Sequence, residues 1–502
     1  MALFFALVGA FAIFWFTWLY LKSKGNPPSP PGPRGLPLVG SLPFLRPDLH
    51  SYFAELAGTY GPVVKLQLGS KLGILVTSPS AARQVLKDQD IVFANRDVPM
   101  TAMVLTGGRD IAWNPYGPEW RMLRKVCVIK MLSNATLDKA YELRRREVRQ
   151  TVDYLYSKAG SPVNVGEQMF LTILNVLTSM LWGGTVDGEA RASLGAEFRQ
   201  VISETTELLG MPNISDFFPA LAPLDLQGAV KRMKKPMDKL NGIIENIIDQ
   251  RLKKERESGS SSDPEFKDFV QFLLQLKDDQ DSNTPLTMEQ IKALLLDMVV
   301  GGSDTSSNSI EFLMAEIINK PEVLRKAQQE LDEVIGKDNL VEESHIHKFS
   351  YLSAAMKESL RLHPALPLLI PHCPSESSTV GGYAIPKGSR VFVNAWAIQR
   401  DPSIWENPLE FNPDRFLNRQ WDFSGNDFNY FPFGSGRRIC AGIAMAERMV
   451  LYSVATLLHS FDWKVPEGNK LDLSEKFGIV LKLENPLVAI PTPRLSDPTL
   501  YE

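Results

Sequence analysis

The densest chemistry in the chain lies in "FPFGSGRRICAG", Phe431 to Gly442. Phe433, Gly436, Arg438, Cys440 and Gly442 stand just before "IAMAERMVLYSVATLLHSF", whose apolar positions fall at helical spacing. A thiolate at a helix N-terminus is stabilised by the helix dipole, and the glycines let backbone approach whatever the sulfur binds. The segment reads as a loop that presents Cys440 as a ligand. A lone cysteine is more often a small buried hydrophobe, which is the reading for Cys127 and Cys373. For Cys440 the surrounding Gly, Arg and Phe favour the ligand.

A second stretch raises a conflict. In "DMVVGGSDTSSNSIEFLMAEI", Asp297 to Ile317, apolar residues on both flanks predict one long helix, from about Met288 to Asn319. Thr287 and Gln290 make a capping box before it and Pro321 stops it. Its middle opposes this: Gly301, Gly302, Ser303, Asp304 and Thr305 are poor helix formers, and the two glycines alone cost about 2 kcal/mol relative to Ala.

These segments must be positioned by a large domain. The chain has 502 residues, 44% of them hydrophobic and 22% charged, which is ordinary globular usage. The formal charge of −4 argues against a nucleic-acid binder, and three scattered cysteines exclude a disulfide framework or zinc cluster. Most of the chain reads as helix, with a strand hairpin at 63–68 and 72–76 and short strands at 386–394 and 487–490. The fold class is mainly α with a small β region. Residues 2–21 carry no charge and are long enough to cross a bilayer, with Trp15, Trp18 and Tyr20 near the end and Lys22, Lys24 and Arg34 following. They predict a single transmembrane anchor with the rest of the chain cytosolic, then a basic, Pro-rich spacer at 22–40 and one domain at 41–502.

The Cys440 pattern resembles the haem-binding loop of the cytochromes P-450, whose cysteine thiolate is the proximal iron ligand. Glu358-x-x-Arg361, with Arg415 in "FNPDRF", resembles that family's core-locking ion-pair trio, although Asp414 stands where the family more often has Glu. Gly301-Gly302-Ser303-Asp304-Thr305 is similar to its oxygen-activation motif. The resemblance implies haem b between the long helix and the Cys440 loop, and a helix centre that gives up bulk and hydrogen bonding to make room for dioxygen. Asp304 and Thr305 would relay protons. Trp120, Arg124 and Arg438 would hold the haem propionates, with His372 a further contact where many relatives carry Arg.

The implied activity is monooxygenation: one atom of O2 enters a lipophilic substrate and the other leaves as water. The chain has no Gly-rich dinucleotide loop, so the resemblance implies electrons from NADPH through a separate reductase, with Arg121, Lys125 and Lys130 on the docking face. The implied location is the endoplasmic reticulum membrane. The family's substrate segments map to Met103, Val104, Leu105, Leu366, Leu368, Leu369, Phe477, Ile479 and Val480, an apolar set suited to a lipophilic ligand. The chain is most similar to plant microsomal enzymes, in a group with sesquiterpene (cadinene) and flavone hydroxylases, and the sequence does not separate the two; a charged pocket residue facing a phenol would favour the flavonoid. A haem-thiolate lyase or dehydratase, or a haem protein without catalysis, are the remaining readings.

Overall fold

The computed structural model describes residues 27–183, 189–258, 268–278, 286–418, 421–468 and 471–502. The anchor predicted at 2–21 and the first residues of the spacer, 22–26, lie outside these. Among the described residues no helix is long and apolar enough to cross a membrane. The rest of the spacer runs extended along the small sheets, with Pro31 O accepting from Lys65 N at 2.8 Å and Pro28 O from Ala384 N at 2.9 Å.

The fold is mainly helical, as the sequence predicts. The elements that build the site are α1 (Leu49–Tyr60), α2 (Pro118–Lys125), α3 (Val165–Trp182), α4 (Glu189–Gly210), α5 (Met288–Asn319), α6 (Ser350–Leu362) and α7 (Ile443–Ser460). The predicted hairpin forms as β1 (Val63–Leu68) and β2 (Lys71–Val76), antiparallel with Val63 opposite Val76. β3 (Arg390–Val393) joins it in parallel, Gly73 opposite Arg390. A last hairpin, β4 (Glu475–Lys476) and β5 (Lys482–Leu483), holds residues 477–481 between its arms.

α5 begins and ends where the sequence predicts, and both halves of the capping box are made: Gln290 N donates to Thr287 Oγ1 at 3.2 Å and Thr287 N to Gln290 Oε1 at 2.9 Å. Its first half, Ile291 to Val300, packs in one apolar core with Phe170, Leu174 and Leu181 of α3. Its last turns, Ile310 to Ile317, pack in another with α6 and α7. The polar centre lies between two cores, which hold the helix through it.

The centre does not loosen. α5 is unbroken from end to end, against the expectation that it gives up hydrogen bonding. The poor helix formers tie themselves to the turn before: Ser303 Oγ donates to Val299 O at 2.6 Å, Thr305 Oγ1 to Gly301 O at 2.7 Å and Ser309 Oγ to Thr305 O at 2.8 Å. Asn308 Nδ2 does the same to Asp304 O at 2.6 Å. Such bonds fill the second lone pair of a helical carbonyl without breaking the ladder.

Candidate functional site

One cavity of about 330 Å³ lies inside the domain. Cys440, Phe433 and Gly442 are on one wall and Gly301, Gly302 and Thr305 of α5 are on another.

The Cys440 loop is fixed mostly by its own backbone. Gly434 N donates to Phe431 O at 2.9 Å, Cys440 N to Phe433 O at 3.0 Å, and a short turn over Gly436–Arg438 leads to the sulfur. Gly436 has φ +67°, and a Cβ there would stand 2.0 Å from Leu86 O. Its task is to seat the loop on the Gln84–Asp88 turn, and it is not on the cavity wall. Cys440 is solvent-accessible only in the sense that it faces the cavity, deep within the domain. Burial pushes its thiol up from the ordinary range, while the Gly442 N–H, 3.3 Å from Sγ, and the Arg124 charge pull the other way. Phe433 packs edge-on against Phe423, ring centres 5.1 Å apart.

Beneath this loop Glu358, Arg361 and Arg415 form the expected cluster. Arg361 donates to both Glu358 oxygens at 2.7 and 2.9 Å, and Arg415 Nε to Oε1 at 3.1 Å. Glu358 and Arg361 are wholly buried, and the remaining Arg361 donors take the carbonyls of Gln399 and Pro408 at 2.8 Å. Charges so enclosed are strongly destabilising to break, unlike an exposed i,i+3 pair. Asp414 stands outside this cluster, bonded to Lys326 at 2.9 Å.

At one end of the cavity three guanidiniums converge: Arg124, Arg438 and Arg96, the last missed in the sequence. Burial lowers the pKa of each; the Arg438 charge adds to this at Arg96, and the Arg124 charge at Arg438, which falls to about 10. Arg438 donates to Ala94 O and Asn114 O at 2.6 Å, Arg96 to Ile370 O at 2.6 Å, and Arg124 to Ile439 O. Carbonyl oxygens carry no full charge, and the one carboxylate that acts on Arg96 and Arg438 is Asp110, so three guanidiniums against one acid leave this end of the cavity favouring an anion.

Two further expected donors are engaged with backbone carbonyls. The Trp120 indole N–H donates to Ile111 O at 3.0 Å, and the ring supports Arg438, whose guanidinium lies 4.3 Å from its centre. Trp120 is not on the cavity wall. His372 does border the cavity, but its pKa is lowered well below the usual value by burial and by Arg96 and Arg438. Its Nδ1 lies 2.9 Å from Phe93 O, an acceptor only, so the proton of the neutral ring sits on Nδ1. Nε2 then has no proton to give an anion.

The two glycines of α5 part company. A Cβ at Gly301 would meet nothing within 4 Å, whereas one at Gly302 would stand 3.0 Å from Leu177 Cδ1 on α3. Gly301 keeps the cavity open; Gly302 lets two helices approach. Asp304 faces away from the cavity: it pairs with Lys482 of β5 at 2.8 Å and accepts from Thr206 of α4 at 2.9 Å. Thr305 alone of the expected proton pair borders the cavity.

Of the apolar positions expected around a substrate, Leu105, Leu366, Leu369, Ile479 and Val480 line the cavity. Leu368 and Phe477 instead line an adjoining pocket of about 80 Å³, which shares Leu369 and Ile479. Met103 is 45% exposed, and Val104 packs with Leu208 and Met233. Two carboxylates that the sequence reading passed over, Asp110 and Asp297, also border it. Burial raises both pKa values, and at Asp297 the Asp110 charge adds to it. Asp297 accepts from Ile111 N at 2.7 Å, and Asp110 from Trp113 N and Thr106 Oγ1. They staple the segment after Met100 over the cavity.

A family model described as Cytochrome P450 matches residues 30–490. A flavonoid 3'-monooxygenase of Crocosmia x crocosmiiflora is 40% identical over 488 residues, covering 95% of this chain and 94% of that protein. Carnosic acid synthase of Rosmarinus officinalis is 37% identical over 498 residues, covering 97% and 98%. A solved zebra fish cytochrome P450 with progesterone superposes with a TM-score of 0.76 at 26% identity, over 89% of this chain and 100% of that one.

Proposed function

The chain belongs to the cytochrome P450 family and is a monooxygenase of that family, and from that premise we propose that it hydroxylates a flavonoid. The observation that carries oxygen insertion is a largely apolar cavity with Cys440 on one wall and Gly301 and Thr305 on another. The flavonoid rests on the 40% identity to a flavonoid 3'-monooxygenase, because Asp110 and Asp297 are committed to backbone N–H groups and supply no free carboxylate for a phenol.

The residues fit haem b, a flat apolar macrocycle with an anionic edge. Cys440 would ligate the iron, Arg96, Arg124 and Arg438 would take the propionates, and Phe433 and Gly442 would support the sulfur side. When bound, haem supplies reductive activation of O2, favoured by electron donation from the thiolate. The chain's own part is to exclude water with the apolar lining and to hold a proton at Thr305 Oγ1. Asp304 can feed that proton only after its pair with Lys482 opens. NADPH supplies two electrons through a separate reductase, so that substrate, O2, NADPH and a proton give hydroxylated product, water and NADP⁺. Arg121, Lys125 and Lys130 are exposed, on and just after the helix whose Arg124 donates to Ile439 O, and form part of the reductase docking face. Residues 2–21 anchor the chain in the endoplasmic reticulum membrane.

Microsomes holding the protein, a reductase and NADPH, given a panel of flavonoids and sesquiterpenoids, test this. Hydroxylated flavonoid that depends on NADPH and O2 is the expected product. A sesquiterpenoid product with no flavonoid product overturns the substrate, and conversion without NADPH overturns oxygen insertion.

A further inference from the structure

The hairpin arms β4 and β5 hold residues 477–481, whose Ile479 and Val480 face the cavity. At the start of this loop sits Glu475, only 11% exposed, which touches neither cavity nor Cys440. Its two oxygens gather four donors from three other parts of the chain. Oε1 lies 2.6 Å from His363 Nδ1, just past α6, and 2.9 Å from Arg400 Nη2; Oε2 lies 2.8 Å from Trp396 Nε1 and 3.3 Å from His50 Nε2 on α1. His363 continues inward, with Nε2 2.9 Å from Glu316 Oε1 of α5 and its ring stacked on Phe312, centres 4.3 Å apart. His50 stacks on Phe477, the second residue after Glu475, at 5.4 Å. The loop's far side is equally constrained: Leu481 N donates to Ala365 O at 2.8 Å, and Gly210 of α4 comes so close that a Cβ there would be 2.3 Å from Ile479 N.

We propose that Glu475 is a positioning residue for substrate selection: its carboxylate, clamped by His363, His50, Trp396 and Arg400, fixes the loop that carries Ile479 and Val480 and so sets which substrate carbon is presented. The loop has few ties of its own, since its two-residue arms form a minimal hairpin, and a hairpin that short does not hold itself in water. The buried hub supplies what the hairpin lacks. This inference rests on the cavity being the substrate's, but not on the substrate being a flavonoid.

His363 bridges Glu316 and Glu475, while Arg400 and His50 meet Glu475 alone. Burial opposes a charge on His363, but bonds to Glu316 and Glu475 outweigh it and raise the His363 pKa. Burial would also raise Glu475, and His363, His50 and Arg400 reverse the sign and hold it well below the usual carboxylate range. Arg361 is the remaining charge that acts on Arg400. The clamp is therefore complete in the acid to neutral range and weakens as pH rises through the raised His363 pKa.

Hydrogen exchange of the loop amides in the substrate-free holoenzyme, with Glu475→Gln and Glu475→Asp, tests the anchoring. Glu475→Gln is expected to speed exchange over 476–481 about tenfold, with Glu475→Asp recovering part of the protection. On any substrate the wild type oxidises, Glu475→Gln should also shift the ratio of regioisomeric products and raise KM more than it lowers kcat, with the reduced-CO spectrum intact. Unchanged exchange over 476–481 overturns the anchoring whatever the substrate is. Faster exchange with an unchanged product ratio leaves Glu475 as a stability residue only and overturns its role in selection.

Discussion

The wall that carries Cys440 comes chiefly from one stretch, Pro432 to Gly442 running on into α7, with Met356 and Leu360 of α6 beside it, whereas the wall that faces it is assembled from Leu105 to Trp113, α3, α4, α5, Leu366 to Ile370 and Ile479 to Val480. The first is held by its own backbone bonds and a buried ionic cluster beneath it. The second is held by contacts between remote segments: Asp297 to Ile111, Asp304 to Lys482, Glu475 to His363. Local sequence dictates the reactive centre and long-range packing dictates what it acts on. Substitutions should therefore be all-or-none on the first wall and graded on the second.

The largest expected effect is that of Cys440→Ala. Its methyl fits the loop, so the fold should persist by circular dichroism while the thiolate signature in the reduced-CO difference spectrum disappears entirely; a retained signature would remove Cys440 as ligand. Next comes Arg361→Ala, which strands Glu358 without its buried partner and should cost about 3–5 kcal/mol in denaturant unfolding. A loss below 1 kcal/mol would mean that the cluster relaxes to water and that the first wall is not rigidly supported.

Thr305→Ala acts on the facing wall and should be graded. Oxygen consumption and NADPH use continue while product per NADPH falls roughly tenfold, less than the roughly hundredfold or more that a positioned proton donor contributes to a rate, because coupling and not the rate is read. Unchanged coupling would remove Thr305 from proton delivery. Lys482→Met releases Asp304 from its ion pair without altering the cavity lining, and should change coupling in the same assay by a smaller factor than Thr305→Ala. An equal or larger effect would show that Asp304 orientation, rather than the Thr305 hydroxyl, limits proton supply.

The same division explains what could be read from the sequence. The Cys440 loop and α5 with its cap were legible because each signal lies within a few consecutive turns. Glu358 and Arg361 were legible as a pair on one helix, while the cost of breaking them comes from burial that only the fold reveals. The acceptors of Trp120 and His372, Ile111 O and Phe93 O, were not legible because they come from segments that spacing does not align with them. Arg96 carries a weak signal, a cation one residue beyond the apolar "IVFA", and Asp297 another, an acid inside the apolar run "LLLDMVV". Asp304 was placed with Thr305 by adjacency, yet consecutive helical residues point about 100° apart, and here that difference sends one to the cavity and the other to Lys482. Met103, Val104, Leu368 and Phe477 lie off the main cavity, which the sequence does not reveal for the same reason: an apolar residue fits a core, a pocket or a surface equally well until its neighbours are known.

The smallest effect is the sharpest on the two glycines that first marked α5 as weak. In an exposed helix Gly→Ala gains about 1 kcal/mol, mostly by reducing the freedom of the unfolded chain. At Gly301 the new methyl meets open space, so Gly301→Ala should gain close to that amount in denaturant unfolding of the substrate-free protein. At Gly302 the methyl must displace Leu177 Cδ1 from 3.0 Å by a few tenths of an ångström. Overpacking a helix crossing offsets the gain, so Gly302→Ala should be near neutral or destabilising. The functional ranking is the reverse. Gly301→Ala puts bulk directly into the cavity and should weaken substrate binding, whereas the Gly302→Ala methyl is aimed at Leu177 and should weaken it less. If both glycines gain stability equally and neither alters binding, the weak centre of α5 serves helix packing alone, and the division between the two walls fails at the point where it is most finely drawn.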